Sequence, residues 1–347
     1  LGEGRVRVQE TTQHPHPNPL PKGEGEFKNL WILTGAVIAD AVRQQLPQVP
    51  PAQILGEPCK RDTAPCIGLA ALLLMQADPN AVMAVMPADQ VISPDDKFQR
   101  SVELAAALVE EQPERIVTFG IKPTYPATTF GYIERGEPMA IDSQRKNLPL
   151  PRGEGTSVFQ VKCFREKPPA EIAKQYLASG NYYWNSGIFI WKAATIVAAL
   201  DERQPEMMQH LRTIVAAWNQ PNFQTVFANE FAAIKGISID YAVMEHAKEI
   251  AVAEWPHTWS DVGTWQAAAQ LAEPDAEGNT IVGRHLGIDT RNSIIRAGEN
   301  HLVTTVGVHD LIIVHTPDAT LVANRYDEES LRRIVKLLEE RGWTEYL

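Results

Sequence analysis

A short apolar run that ends in a polar turn constrains the fold of this chain more than any other feature. Residues 81–86 (AVMAVM) are all apolar, and Pro87, Ala88 and Asp89 follow directly. An apolar run of this length between turn residues is typical of a strand that is buried on both faces of a parallel sheet. Because ligands bind beyond the carboxyl ends of such strands, we expect Asp89 at a ligand-binding edge. The alternative is that Asp89 only caps the following helix.

Strand and helix patterns alternate on both sides of this run. A short apolar run at 30–33 is followed by apolar residues at helical spacing, and similar pairs recur along the chain. The alternation predicts an α/β fold with a Rossmann-like mixed, mostly parallel sheet that is flanked by helices. From residue 280 onward, short β segments separated by turn residues lead to an amphipathic helix at 327–341. We therefore predict a large domain at 29–275 and a small β-rich domain at 276–347 that ends in this helix.

Two segments of unusual composition interrupt these patterns. Residues 1–28 are rich in proline, which cannot donate a backbone hydrogen bond, so we expect a disordered, low-complexity tail. The heptad PLPKGEG at 19–25 recurs as PLPRGEG at 149–155. Solenoid repeats have periods of roughly 20–50 residues, far shorter than the distance between these copies. We therefore predict that the second copy belongs to a loop insertion at about 139–157.

Composition excludes several classes of protein. The formal net charge of −11 argues against nucleic-acid binding, because such proteins neutralise phosphates with Lys and Arg. No apolar run approaches the ~18 residues of a membrane span, and the polar, Pro-rich beginning does not resemble a secretory signal peptide. The three cysteines form neither a metal-binding spacing nor an even disulfide set, which favours a reducing, cytoplasmic location.

Two pairs of charged residues suggest chemistry on anionic substrates. Asp89 and Asp261 each follow an apolar segment at a turn, and two converging carboxylates suit Mg²⁺, which prefers oxygen ligands and often also binds substrate phosphates. The alternative is two unrelated helix caps. Glu166 and Lys167 end an alternating strand, where Lys could neutralise a sugar phosphate and Glu could accept sugar hydroxyls. The alternative for this second pair is an exposed ion pair that contributes little.

Eight motifs in a fixed order carry a resemblance to a known family. They are EPCKRDTAP at 57–65, PAD at 87–89, TFGIKPT at 118–124, FGYI at 130–133, FREKP at 164–168, WNSGIF at 184–189, SIDYAVME at 238–245 and WSDVGTW at 259–265. Each motif is weak alone, but together they span the ordered part of the sequence. In this order they resemble the mannose-1-phosphate guanylyltransferases (GDP-mannose pyrophosphorylases), a family of sugar nucleotidylyltransferases.

The resemblance implies a fold, a reaction and a set of partners. The fold is a nucleotide-binding Rossmann-like domain followed by a short left-handed β-helix. The reaction is transfer of GMP from GTP to mannose-1-phosphate, which gives GDP-mannose and pyrophosphate, with Mg²⁺ as cofactor. The expected partners are GTP and mannose-1-phosphate, and we expect binding to neither nucleic acid nor membranes. For the assembly, the hypothesis is a homodimer.

The resemblance also implies roles for individual residues. The catalytic residues are Asp89, Lys167 and Asp261, and the two aspartates are the metal ligands. The sugar-phosphate residues are Gly131, Tyr132, Glu166, Lys167 and Asn185. The nucleotide-binding residues are Glu57, Arg61, Thr63, Ala64, Ala88 and Asp89. From the residues alone, a turn-forming role is favoured for Asn185, and the tryptophans at 255, 259 and 265 are predicted to belong to the core rather than to a stacking site. A surface charge is the alternative for Arg61.

One element of the family pattern has no counterpart in this sequence. The family opens with a Gly-rich loop of the type GGxGTRLWP and a PKQ segment, which grip the nucleotide phosphates, whereas residues 1–28 match neither. Since the sequence also begins with Leu1, we expect an N-terminally truncated chain. Two alternatives therefore stay open: a catalytically silent relative that binds sugar nucleotide, and a nucleotidyltransferase that uses UTP or dTTP with glucose-1-phosphate.

Overall fold

We analysed a computed structural model of the chain. It describes Phe27 and residues 29–139, 157–255, 258–269, 271–298 and 300–346. Apart from Phe27, the predicted tail at 1–28 lies outside these residues, and so do both copies of the heptad and most of the predicted loop insertion.

The described residues alternate between strands and helices along most of their length. The strands are β1 Ile32–Gly35, β2 Ile54–Glu57, β3 Val82–Val85, β4 Val91–Ser93, β5 Ile116–Ile121, β6 Tyr132–Pro138, β7 Val158–Arg165, β8 Tyr182–Lys192, β9 Ile250–Trp255, β10 Thr258–Ser260, β11 Thr280–Val282, β12 Arg284–Ile288, β13 Ile294–Arg296, β14 Leu302–Val306, β15 Leu311–His315 and β16 Thr320–Asn324. The α-helices are α1 Ala36–Gln45, α2 Thr63–Ala77, α3 Asp95–Glu111, α4 Ala170–Ser179, α5 Ala193–Arg203, α6 Pro205–Ala216, α7 Phe223–Ala233, α8 Trp265–Ala269 and α9 Glu328–Glu340. The observed elements establish a mixed α/β fold.

The chain forms two compact units, each made of two chain segments. The first unit comprises Leu1–Met83 and Lys192–Lys248, and the second comprises Ala84–Trp191 and Glu249–Leu347. The domain limits that we predict from the sequence at 275 and 276 stay a prediction.

Helix α2 is the centre of the first unit. It is apolar on all sides, which is typical of a helix buried on every face, and eight of its residues are buried. Gly68 in its middle permits close packing, because a Cβ atom there would lie only 2.8 Å from Leu211 Cδ1 and 3.1 Å from Leu200 Cδ1. In the same unit β1 and β2 form a parallel two-stranded sheet.

A six-stranded sheet has the order β3-β8-β5-β9-β7-β6. Most of its residues belong to the second unit, although the limit between the units falls within β3, after Met83. The sheet is mixed as predicted, but the expectation that it is mostly parallel is wrong. Strands β5 and β9 are parallel, whereas β5–β8, β7–β9, β6–β7 and β6–β8 are antiparallel. These pairings give β7 and β8 the same direction, on opposite sides of the β5–β9 pair. The alternation of strands and helices predicts the relative direction of successive strands. It does not predict the order in which the strands lie side by side in the sheet.

Strand β3 corresponds to the apolar run at 81–86, and the prediction that it is buried on both faces is wrong. Met83 is buried, but Ala84 is exposed and Met86 is 46% exposed. The reason is its position, because β3 ends the strand order of the sheet and has a described strand neighbour on one side only. An edge strand buries less of its surface than a central one.

The C-terminal part of the second unit is built from short parallel strands. Parallel pairing joins β11 to β13 and β13 to β15, and it also joins β12 to β14, so the chain returns to the same face once per coil. Buried isoleucines stack in register, with Ile294 opposite Ile312 and Ile295 opposite Ile313. This β-rich arrangement confirms the predicted character of the region. Helix α9 follows β16, as predicted.

The helices in the described part of the chain are too short or too polar to cross a bilayer. None of them combines the length and the apolar composition that a membrane-spanning helix requires.

Candidate functional site

A two-stranded ribbon brings the two predicted metal ligands together. Strands β4 and β10 pair antiparallel, with Val91 opposite Ser260. Asp89 lies two residues before β4, and Asp261 follows β10 directly. Because the strands are antiparallel, the start of one and the end of the other meet, so both carboxylates lie at the same end of the ribbon.

The turn that carries Asp261 is tightly constrained. Val262 has a φ of 48°, which is unfavourable for a β-branched residue, and Ser260 Oγ accepts a hydrogen bond from its N–H at 3.2 Å. A Cβ atom at Gly263 would lie 2.6 Å from Asp261 Oδ2, so the carboxylate occupies space that only glycine leaves open. Backbone strain of this kind is a feature of functional sites, where it typically costs about 1–3 kcal/mol.

The predicted sugar-phosphate residues also lie together. A Cβ atom at the buried Gly131 would meet Glu166 Oε2 at 2.4 Å and Asn185 Cβ at 3.3 Å, so both side chains face the Gly131 backbone. Glu166 Oε1 lies 3.1 Å from Lys167 Nζ; the Glu166 side chain is 8% exposed and that of Lys167 is 56% exposed. A buried carboxylate next to an accessible ammonium is suited to a ligand that carries both hydroxyls and a phosphate.

Asn185 forms a turn next to the other predicted sugar-phosphate residues. Its backbone N–H donates to Gly131 O at 2.8 Å, and its Oδ1 accepts from Gly187 N–H at 3.2 Å, the pattern of an Asx turn. Thr118 Oγ1 lies 3.3 Å from the same Oδ1 and donates to Ile188 O at 2.8 Å.

Tyr132 can reach a ligand only through its backbone. Its side chain is fully buried, and its hydroxyl donates to Ala127 O at 2.9 Å. Burial raises the pKa of this phenol above its ordinary value. The sequence resemblance implies a role for the backbone here, and the buried ring is compatible with it.

Two residues of this region are not singled out as site residues by the sequence. Trp259 Nε1 donates to Gln90 Oε1 at 3.0 Å, and Gln90 Nε2 donates to Ser186 O at 2.6 Å. Of the predicted core tryptophans, Trp255 is 5% exposed, whereas Trp259 is only partly buried. In the sequence, only their closeness to the predicted metal ligands could have indicated these two residues. Gln90 follows Asp89, and Trp259 precedes Asp261 by two positions.

The predicted nucleotide-binding residues at 57–64 belong to the first unit, where most of them bond to the segment 232–239. Ala64 N–H donates to Ile237 O at 3.1 Å, and Thr63 Oγ1 accepts from Ile239 N–H at 2.9 Å. Arg61 Nη2 donates to Ala232 O at 2.5 Å, and its carbonyl accepts from Ile237 N–H at 3.2 Å. These groups therefore hold the start of α2 in place.

The environment of Glu57 in the first unit shifts the pKa of its carboxyl group. Burial raises its pKa from 4.5 to about 6, and a hydrogen bond from Cys66 offsets part of that rise. Its Oε1 is buried and has no hydrogen-bond partner in the described part of the chain. Burial, followed by the nearby Glu57 carboxylate, raises the pKa of the Cys66 thiol to about 12. The pair is therefore a weak acid next to an unreactive thiol.

The acidic side chains at the end of the β4–β10 ribbon are the candidate ligands for a metal ion. Within the described ranges no group of three or more His, Cys, Asp or Glu side chains is arranged to hold one. Asp89 and Asp261 supply carboxylate oxygens at one end of the ribbon, and Asp261 is fixed above Gly263. Two carboxylates fit a hard cation that takes its other ligands from water and phosphate, as Mg²⁺ does.

The fold and the site define a class of protein. A mixed sheet with flanking helices, charged residues in the loops beyond its strands and a following parallel β coil are the features of a sugar-nucleotide transferase. A family model described as "Nucleotidyl transferase" matches residues 24–278, and one described as "MannoseP isomerase/GMP-like beta-helix domain" matches residues 283–338. The chain belongs to the nucleotidyl transferase family.

Individual relatives agree with this assignment. The mannose-1-phosphate guanylyltransferase of Escherichia coli K12 is 38% identical over 297 residues, which cover 84% of this chain and 59% of the relative. Mannose-1-phosphate guanylyltransferase 2 of E. coli O157:H7 is 35% identical, and the match covers 85% of this chain and 59% of that relative. This chain thus spans about 60% of the length of these relatives.

A solved structure has a similar fold along almost the whole chain. It is the crystal structure of a protein named mannose-1-phosphate geranyltransferase from Thermus thermophilus, with a TM-score of 0.70 and 25% sequence identity. The match covers 89% of this chain and 99% of the other.

Proposed function

We propose that this protein transfers GMP from GTP to mannose-1-phosphate and thereby forms GDP-mannose and pyrophosphate. One observation supports this most strongly: direct contacts connect the carboxylate ribbon to the sugar-phosphate residues. Gln90 bonds Ser186, the neighbouring Asn185 bonds Gly131, and Gly131 lies against Glu166. The names of the relatives supply the substrates in this proposal.

The chemistry requires no protein nucleophile. A phosphate oxygen of mannose-1-phosphate attacks the α-phosphorus of GTP in line, the bond to the β-phosphate oxygen breaks, and pyrophosphate leaves with both bonding electrons. In this proposal Lys167 neutralises the sugar phosphate, Glu166 accepts hydrogen bonds from sugar hydroxyls, and the Asn185 amide donates to the sugar. Positioning and charge neutralisation are the main sources of rate in such a reaction.

A divalent metal is general in this family, and we propose Mg²⁺ held by Asp89 and Asp261. When bound, the ion would neutralise negative charge on the transferring phosphates. The constrained turn at 260–263 supports this, because it fixes the Asp261 carboxylate before any ligand arrives. Such preorganisation lowers the cost of assembling the site.

The nucleotide-binding part of the proposal concerns Glu57, Arg61, Thr63 and Ala64, together with Ala88 and Asp89. The exposure of Ala88 and Asp89 supports their assignment. Because Arg61, Thr63 and Ala64 already bond residues 232–239, they would contact a nucleotide through their remaining groups.

The setting of the protein is also a proposal. Cys59, Cys66 and Cys163 are all free thiols, which supports a cytoplasmic enzyme. A homodimer is supported by exposed apolar side chains on β12 and β14, among them Leu286, Ile288 and Val306. Sedimentation velocity at micromolar concentration tests the assembly, with a single monomeric species as the contrary result.

The experiment that tests the reaction is product formation by the full chain. GTP, Mg²⁺ and mannose-1-phosphate are supplied in one series, and UTP or dTTP with glucose-1-phosphate in two others, while pyrophosphate release and nucleotide sugar are quantified. Turnover with the guanosine and mannose pair is the expected result. Turnover only with the glucose substrates would assign a different nucleotidyltransferase. Binding of GDP-mannose without turnover in any series would identify a silent relative.

A further inference from the structure

We propose that Gln90 is a positioning residue, which fixes the distance between the carboxylates of Asp89 and Asp261. The inference rests on the proposed function, since it assigns these two carboxylates to one metal-binding site. Both hydrogen bonds of the Gln90 side chain join it to other protein segments, so its effect would be transmitted through the segments that it connects.

The orientation of the Gln90 amide is determined by its partners. Trp259 Nε1 can only donate, and it lies 3.0 Å from Oε1; Ser186 O can only accept, and it lies 2.6 Å from Nε2. Both ends of the amide are therefore bonded in the only arrangement that the partners allow. A side chain held at both ends connects β8 to the β10 segment.

The position of this bridge along the ribbon is what makes it important. Strands β4 and β10 share three residue pairs, and the pair of Val91 with Ser260 is the last before the carboxylates. A ladder this short is marginally stable by itself and tends to fray at its end. Gln90 lies one residue beyond that pair, so its bond to Trp259 closes the ribbon where Asp89 and Asp261 emerge.

The other contacts of the bridge lead to the sugar-phosphate residues. Gly187 has a φ of 73°, and a Cβ atom there would lie 3.5 Å from Pro87 Cγ and 3.8 Å from Gln90 Nε2. The turn before Asp89 is therefore in contact with the turn after Asn185. On the other side, the Trp259 ring lies edge-on to Phe130, with centroids 5.7 Å apart, next to Gly131.

A matched control exists in the same unit. Gln112 also donates one side-chain hydrogen bond, to Glu249 Oε2 at 3.1 Å, and accepts one, from Arg115 at 2.6 Å. It is partly buried like Gln90 but touches none of the predicted site residues. Gln90→Leu and Gln112→Leu therefore each remove one donated and one accepted side-chain hydrogen bond, with neutral partners for Gln90 and charged partners for Gln112.

The test measures metal binding directly. The full chain is titrated with Mn²⁺ alone, free Mn²⁺ is read by electron paramagnetic resonance, and binding that Asp261→Asn removes is counted as the site. We expect Gln90→Leu to weaken that binding by roughly tenfold, equivalent to ~1.4 kcal/mol, while Gln112→Leu leaves it unchanged. Both variants should lower the melting temperature by similar amounts. Trp259→Phe, which keeps a ring beside Phe130, should weaken Mn²⁺ binding as Gln90→Leu does, and the double variant should add little.

Several results would overturn the inference. One is unchanged Mn²⁺ affinity in folded Gln90→Leu and Trp259→Phe, and another is an equal loss in Gln112→Leu. Absence of any Asp261-dependent Mn²⁺ binding in the unmodified chain would overturn it as well. Because the titration needs no turnover, a chain that makes no GDP-mannose yet shows the Gln90 effect would refute the proposed reaction and support the positioning role.

Discussion

The two regions that carry the predicted ligand-binding residues use their polar groups in different ways. At the start of α2, the Thr63 hydroxyl, the Ala64 N–H and the Arg61 guanidinium all bond backbone groups of residues 232–239. In the second unit, Lys167 and Asp89 keep exposed charged ends, and the bonds around them orient side chains instead. The first region resembles a structural clamp, and the second resembles a preorganised binding surface.

This difference shows that a match to a family motif does not distinguish residues that stabilise the fold from residues that bind the ligand. A residue whose polar atoms already bond the protein should affect stability most when it is changed. A residue whose charged end remains accessible should affect chemistry most. Variants at the start of α2 should therefore change the stability of the fold, whereas variants in the second unit should change catalysis or ligand binding.

The largest effect is expected at Asp261. Asp261→Asn keeps the shape of the side chain but removes its charge, so turnover with GTP and mannose-1-phosphate should fall by at least about 100-fold, with little change in melting temperature. Initial rates of pyrophosphate release at several Mg²⁺ concentrations measure this. Asp289→Asn is the control, because Asp289 is an exposed turn residue of the β coil. Full activity of Asp261→Asn would remove this residue from the metal site.

The next effect is expected at Gly131. Gly131→Ala places a methyl group 2.4 Å from Glu166 Oε2, so the Glu166 side chain must move. We expect kcat/KM for mannose-1-phosphate to fall by about 10- to 100-fold, mainly through KM, because ground-state binding is lost. Steady-state kinetics with varied sugar phosphate measures this. Gly298→Ala, at a position with no neighbour within 4 Å, should behave like the unmodified chain. An unchanged KM for Gly131→Ala would separate Glu166 from sugar binding.

Local features of this molecule are largely predictable from the sequence because they depend on neighbouring residues. The amphipathic pattern at 327–341 correctly indicated the last helix, which the structure places at Glu328–Glu340, and the turn residues correctly indicated the β-rich region after residue 280. The sequence predicts that the sheet is mixed, but it does not predict the order of the strands. Its antiparallel neighbours arise because β7 and β8 lie on opposite sides of the β5–β9 pair, which no local pattern encodes.

The site was predictable where charged residues follow strands and not where neutral residues connect them. Glu166 and Lys167 stand out because their charges suit a phosphorylated sugar, whereas Asn185 is added only by the resemblance. The structure places Glu166 and Asn185 beside Gly131. Gln90 and Trp259 are 169 positions apart and carry no charge, so their bond depends entirely on the β4–β10 register. Likewise, the residues next to Thr63 in the sequence do not indicate that its hydroxyl accepts a hydrogen bond from the backbone N–H of Ile239.

A smaller effect, on stability, is expected at Thr63. Thr63→Val keeps the shape but removes the acceptor for Ile239 N–H, so unfolding free energy should fall by about 1–2 kcal/mol. Chemical denaturation measures the loss, and Thr63→Ser should restore most of it. The KM for GTP should change less than about threefold if Thr63 acts mainly as part of the clamp. A large rise in KM for GTP with unchanged stability would instead make Thr63 a nucleotide ligand, and the contrast between the two regions would fail.

The smallest effect is expected at Glu57, and it should depend on pH. Burial raises the pKa of Glu57 from 4.5 to about 6, so the folded chain binds the proton more tightly than the unfolded chain does. Stability from this group is therefore fully present below pH 4.5 and is lost as the pH rises through about 6. Glu57→Gln cannot lose a proton, so its stability relative to the unmodified chain should rise over this interval and level off above it. Because Glu57 is partly exposed, the gain should be about 1 kcal/mol rather than the full value of the shift.

Denaturation midpoints of Glu57→Gln and the unmodified chain, measured in small pH steps from below the ordinary pKa of Glu to above neutrality, give this difference directly. Glu206→Gln, at an exposed position on α6, serves as the control for replacing one carboxylate by an amide. A difference that is constant with pH would mean that Glu57 is as well solvated when folded as when unfolded. A difference that falls with increasing pH would mean that the Glu57 carboxylate is stabilised by a bond within the fold. In either case Glu57 would be a charged carboxylate of the first unit that is available to a ligand. The contrast between a structural clamp in the first unit and a binding surface in the second would then rest on Arg61, Thr63 and Ala64 alone.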